Sequence, residues 1–132
     1  MRRALQLLDD GDPDGLVLLE AGLVGALMLC PSLRLYSSLQ TLRPADFVGK
    51  HRGAAFGVVM TERNPELAFV VDRLERDGIP HPPNRTGWGD ALSRLLDVAL
   101  VDDEAVPEAA RRIKEAAALR RLNVIARRPD AT

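Results

Sequence analysis

The chain has 132 residues and a mass of 14.4 kDa, which is the size of one domain. Apolar residues make up 46% and charged residues 28% of it, a balance typical of a globular chain rather than a disordered one. A net charge of −1 excludes the strong overall basic field of many nucleic-acid-binding domains. The single cysteine, Cys30, excludes an internal disulfide framework and indicates a reducing compartment.

The most apolar stretch, residues 16–30, follows a short basic start and could be mistaken for a signal peptide. Four aspartates separate it from that start, and Glu20 interrupts it. Its 15 residues are also too few to span a bilayer. We therefore interpret it as a buried core helix, and expect a soluble, cytoplasmic protein with no membrane contact.

Start and stop signals divide the chain into helices. The Asp-Pro pair at 12–13 and the Asn-Pro-Glu triplet at 64–66 are typical helix starts, and Gly78 is a typical C-cap. On the first helix, Gly22 and Gly25 would let another helix approach closely. Apolar residues recur at helical spacing and no segment alternates with period two, so we predict an all-α fold. The predicted helical segments are 12–30, 36–42, 50–62, 64–78, 91–99 and 107–127, with a proline- and glycine-rich loop at 80–89.

Residues that carry chemistry are scarce. The two histidines, His51 and His81, have no neighbours at metal-ligand spacing. The only Gly-Lys pair, at 49–50, lacks the following Ser or Thr and the earlier glycine of a phosphate-binding P-loop. We predict no catalytic residues, no cofactor and no metal, and therefore a protein that is not an enzyme.

Charge is uneven along the chain. Residues 109–132 carry seven Arg or Lys side chains against two acids, whereas residues 1–20 are acidic. These cations suit a solvated helix end, where they complement the helix dipole, and they would equally suit an acidic partner or a nucleic-acid backbone. No aromatic residue is interleaved with them, which argues against stacking on single strands.

Five short sequence words follow one another along the chain: EAGLVGALML at 20–29, LRPADF at 42–47, EL with LERDG in one spaced word over 66–78, GWGDAL at 87–92 and IKEAAALRRL at 113–122. In this order they resemble the N-terminal domain of DnaB-type replicative helicases. Phe56 also follows Phe47 by nine residues, as the second phenylalanine of that family does. The resemblance covers about residues 17–125, nearly without gaps.

The sequence also departs from that family. The family's His-Arg pair is displaced by one place, to 51–52, and Val48 stands where a tyrosine often follows the Asp-Phe word. The chain ends just after the helix that would be the first arm of the family's helical hairpin. We therefore expect the second arm and the RecA-like motor to be missing from it.

The resemblance implies a compact headpiece of about five to six helices, ending in a long C-terminal helix. The helical domain would span residues 12–127, between an N-terminal segment 1–11 that we expect to be flexible and a tail 128–132. It implies a non-catalytic interaction domain of DNA replication that binds replicative helicase, primase or helicase loader, and that can form a homodimer. By position, the contact residues would be Arg111, Ile113, Ala117, Arg120, Arg121 and Leu122.

Four alternatives stay open. The face carrying Ile113, Ala117 and Leu122 has the spacing of a core face and could pack on its own domain. The basic C-terminal helix could bind the DNA backbone, with Arg120, Arg121, Arg127 and Arg128 as its cations. The chain could be a fragment of a full ATP-dependent helicase. It could also act as a mimic of the helicase-binding domain of primase.

Overall fold

The computed structural model describes residues 15–126, with side chains as far as residue 123. Over this range the predicted all-α class is confirmed, since the described residues form six α-helices and no strand. The predicted helix start at 12–13 and the boundaries of the segments 1–11 and 128–132 lie outside it. The helices are α1 (Leu16–Leu29), α2 (Ser37–Gln40), α3 (Lys50–Thr61), α4 (Leu67–Arg76), α5 (Trp88–Asp97) and α6 (Ala105–Ala126).

The first helix, α1, forms the centre of the molecule. Eleven of its 14 residues are buried, because it is apolar on every side and can only be stable when surrounded. It packs against α3, α5 and α6, and Leu23, Val24 and Leu27 are completely buried there. The most apolar stretch of the sequence is thus a core helix, as its length and composition predicted. No helix among residues 15–126 combines the length and the hydropathy needed to cross a membrane.

Close packing of α1 on α5 depends on glycine. A Cβ atom added to Gly25 would lie 2.3 Å from the carbonyl oxygen of Leu95, well inside van der Waals contact. At Gly22 a Cβ atom would lie 3.0 Å from the carbonyl oxygen of Val98. The predicted close approach of another helix at these two glycines is therefore confirmed, and the helix is α5 with the residues that follow it.

The segment between α1 and α3 differs from the single helix predicted over 36–42. It forms a 3-10 turn at Pro31–Leu35, the one-turn helix α2 and a second 3-10 turn at Pro44–Asp46. The extended backbone of Tyr36, with ψ of 138°, interrupts any continuous helix. Arg34 fixes this segment to the end of α3, where it donates hydrogen bonds to the carbonyl oxygens of Val59 (2.9 Å) and Glu62 (2.7 Å).

The end of α4 confirms the predicted C-cap. Gly78 has φ of +71°, a left-handed conformation that favours glycine. The amide of Ile79 donates to the carbonyl of Leu74, and the amide of Gly78 to that of Glu75, which together define a Schellman motif. The predicted start of α4 is earlier than the observed one, because Glu66 still has an extended backbone.

Candidate functional site

The long helix α6 is packed on the core for only part of its length. Among residues 105–123, its buried side chains recur every three or four residues, and the last of them is Ala117. Of residues 118–123 none is buried, although the helix continues to Ala126. We call residues 118–126 the overhang, because residues 118–123, the part of it whose side chains the structure describes, contain no buried side chain. The buried residues are Val106, Ala109, Ala110, Ile113 and Ala117.

Two of the six predicted contact residues are buried inside the molecule. Ile113 is 0% exposed and Ala117 is 2% exposed, and both lie on the face of α6 that packs against the other helices. For these two residues the structure therefore agrees with the alternative in which this face of the helix packs on the chain's own domain. Periodicity could not separate the two roles, because a core face and an interface face have the same helical spacing.

Two further predicted contact residues hold α6 against the chain's own 41–46 segment. Arg120 donates from Nη2 to the backbone carbonyl of Asp46 at 2.8 Å, and Arg121 forms an ion pair with the Asp46 carboxylate. Asp46 is 2% exposed and also accepts a hydrogen bond from the backbone amide of Arg43. Lys114 adds a contact of 2.6 Å to the carbonyl oxygen of Thr41. These basic residues therefore position the helix.

The remaining two predicted contact residues are exposed on the outer side of α6. Arg111 pairs with Glu108 within the helix, and Leu122 is 60% exposed. At 3.6 residues per turn, Leu122 and Ala118 lie on the side opposite Ile113, and Leu119 flanks them. Leu119 is 61% exposed. We call the side chains of Ala118, Leu119 and Leu122 the apolar patch of the overhang.

A buried polar centre joins α1 to the start of α3, and the sequence did not reveal it. The side chain of Glu20, on α1, is completely buried. Its carboxylate accepts hydrogen bonds from the backbone amides of Val48 (2.6 Å) and Gly49 (3.1 Å), just before α3, and from Nε of Arg52 (2.8 Å). The only sequence signal was a lone acid inside an apolar helix.

The carboxylates of the described residues are not grouped as metal ligands. Over residues 15–123, no three His, Cys, Asp or Glu side chains lie close enough to hold a metal ion. Glu20 and Asp46, the two buried carboxylates among these residues, are both engaged by donors of the chain itself.

Comparison with known proteins gave no match: no protein-family model, curated sequence or solved structure is similar to this chain. The resemblance to the helicase headpiece consequently stands on the ordered sequence words alone and stays a prediction.

Proposed function

We propose that this chain is a non-catalytic interaction domain that binds another protein through the apolar patch of the overhang. The observation that carries the proposal is the course of α6 beyond Ala117: residues 118–123 contain no buried side chain, and Leu119 and Leu122 are each more than half exposed. Each of these leucines is about 60% exposed, so a partner that buries it gains about 1–2 kcal/mol.

The partner we propose is a protein of the replication machinery: the replicative helicase, a primase or a helicase loader. Support for this partner class comes from the order of the sequence words and from the all-helical fold with its long last helix, which is the architecture the resemblance implies. In this proposal the overhang, rather than the face carrying Ile113 and Ala117, makes the contact.

A protein partner accounts for the surface of α6 better than a DNA backbone does. Phosphate contacts need cations that face solvent. Arg120 and Arg121 are already bound to Asp46, and Lys114 to the carbonyl of Thr41, although the side chain of Arg121 stays 61% exposed. Arg127 and Arg128 lie outside the described residues. The outer side of the overhang is apolar in the described residues, which suits a protein groove into which a helix face inserts.

The experiment is a binding titration of the purified chain against the helicase, the primase and the loader of its own host, followed by calorimetry. We expect one of the three to bind, and expect L119A/L122A to weaken that binding at least about tenfold. The matched control is L29A/L35A, because Leu29 and Leu35 are at least as exposed, at 65% and 79%, but belong to α1 and the first 3-10 turn rather than to α6.

Two outcomes would contradict the proposal. One is that none of the three proteins binds while each is active in its own assay. The other is that the control variant weakens binding as much as L119A/L122A does, which would show that exposed leucine anywhere on the chain drives the association. Far-UV circular dichroism of both variants verifies that the fold is retained.

A further inference from the structure

A groove of about 400 Å³ lies beside α6, where the one-turn helix α2 packs against it. One wall is the first half of α6 with the turn before it, and the other holds Ser38 and Thr41, in α2 and directly after it. We call it the α2–α6 groove. The proposed function uses only the overhang of α6 and leaves this groove without a role.

Opposite charges are separated along the α2–α6 groove. Glu104 and Glu108 line it at the start of α6, and Arg111 and Lys114 line it towards the overhang. At a rise of 1.5 Å per residue, the centres of these two pairs lie about 10 Å apart along the helix axis. The groove therefore has an acidic end and a basic end, although the charges of its described lining residues sum to zero.

Each end of the groove keeps one charge that the described residues do not neutralise. Arg111 forms an ion pair with Glu108, whereas the exposed carboxylate of Glu104 forms none over residues 15–123. Lys114 donates to the carbonyl oxygen of Thr41 at 2.6 Å, which uses one of its three N–H donors. An acid at one end and a cation at the other are thus available to a partner.

The α2–α6 groove continues along the helix into the apolar patch of the overhang. Positions 107, 111, 114, 118 and 122 follow one another in steps of three or four, so they share one side of α6. From Pro107 to Leu122 this side is about 22 Å long. It presents an acidic, a basic and an apolar part, in that order along the chain.

We propose that the partner that covers the apolar patch also extends into the α2–α6 groove. Its surface would carry an apolar part opposite Leu119 and Leu122, then acidic side chains opposite the basic end, then a basic side chain opposite Glu104. This inference rests on the proposed function, because the same protein must cover the patch. Charge complementarity fixes the orientation, since a partner docked in reverse would bring its acids against Glu104.

Charge reversal at each end of the groove tests the inference. The variants are E104K and R111E, titrated by calorimetry against whichever of the host's helicase, primase and loader binds the original chain. We expect each variant to weaken binding at least about tenfold, because each brings like charges together across the interface.

Helix α4 offers a matched control for each variant. E75K reverses an exposed acid. R76E reverses an exposed arginine that, like Arg111, pairs with an acid of its own helix, in this case Asp72. We expect both controls to change the affinity by less than about twofold. Far-UV circular dichroism verifies that all four variants keep their helices.

The two reversals also separate the order of the charges from the net charge. They change the net charge in opposite directions, so general attraction would strengthen binding in one variant and weaken it in the other. The double variant E104K/R111E keeps the net charge of −1 but exchanges the two ends. We expect it to bind more weakly than either single variant.

Three outcomes would overturn the inference. The first is that E104K and R111E change the affinity in opposite directions, which would assign the effect to net charge. The second is that both behave like their controls while L119A/L122A weakens binding, in which case the proposed function stands and the inference alone fails. The third is that none of the three proteins binds, in which case both fail.

Discussion

At the scale of single residues, Glu20 shows how a charge is accommodated inside an apolar helix. Its carboxylate oxygens accept from two backbone amides and from Arg52, so the carboxylate is surrounded by donors rather than by hydrocarbon. The partners are 28–32 residues away in the sequence. Local pattern could therefore mark Glu20 as unusual, but it could not show what the side chain binds.

Replacing Glu20 with alanine should destabilise the fold strongly. Removal of one partner from a buried ion pair costs about 3–5 kcal/mol, because the other charge and the backbone donors stay buried without an acceptor. Since Arg52 keeps 18% of its side chain exposed, we expect a loss near the lower end, about 3 kcal/mol in the free energy of unfolding. Urea unfolding measures it.

The control for this variant is Glu75→Ala, on the exposed side of α4. It should change the free energy of unfolding by less than about 0.5 kcal/mol. A loss for E20A as small as that of the control would show that the buried carboxylate contributes nothing to stability.

At the scale of helices, the α1–α5 contact depends on the absence of a side chain. The sequence predicted close approach of another helix at the glycines 22 and 25, but it did not predict which helix approaches. That information resides in the tertiary arrangement, since α5 follows α1 by more than fifty residues. The C-cap at Gly78 was fully predictable, because a Schellman motif is local and needs only a glycine beyond the last helical turn.

Gly25→Ala should separate α1 from α5 and lower stability by about 2–3 kcal/mol, as overpacking of a tight core does. The added methyl would meet backbone, which cannot rotate away, at the carbonyl oxygen of Leu95. Gly89→Ala is the matched control within α5, since nothing lies within 4 Å of its added Cβ. Thermal unfolding should show the first variant melting earlier and the second melting at or slightly above the original temperature.

At the scale of the whole molecule, the surface of α6 limits self-association. In a parallel pair of α6 helices, Arg111 would face Arg111 and Glu115 would face Glu115, and like charges repel. In an antiparallel pair, Arg111 would lie against Leu122. The parallel arrangement would pair the apolar patch with itself only together with these like-charge contacts, and the antiparallel arrangement would not pair the patch with itself.

We therefore expect the chain alone to be a monomer, although the family resemblance allows a homodimer. Light scattering coupled to size exclusion should give a mass close to 14.4 kDa over a range of concentrations. A stable dimer of the original chain that L119A/L122A converts to monomers would contradict this prediction and would assign the apolar patch to self-pairing.

Local sequence patterns predicted some features of the whole molecule and missed others. The all-α class and the long last helix followed from periodicity and capping, which are local properties. Sequence patterns did not show whether the Ile113 face of α6 packs inside the domain or faces a partner, because the helical spacing of apolar residues is the same in both cases. The apolar patch of the overhang is visible only in the structure, where Ala117 is the last buried residue of α6 among residues 105–123.

The hydrogen bonds from Val48 and Gly49 to the buried carboxylate have a consequence for amide hydrogen exchange. Both amides lie between the second 3-10 turn and α3, in a connection where rapid exchange would be expected of a loop. Because their acceptor is the completely buried carboxylate of Glu20, their release requires the 48–49 connection to separate from α1. In deuterium oxide they should exchange as slowly as the amides of the core helices, and E20A should return them to the rate of an open chain.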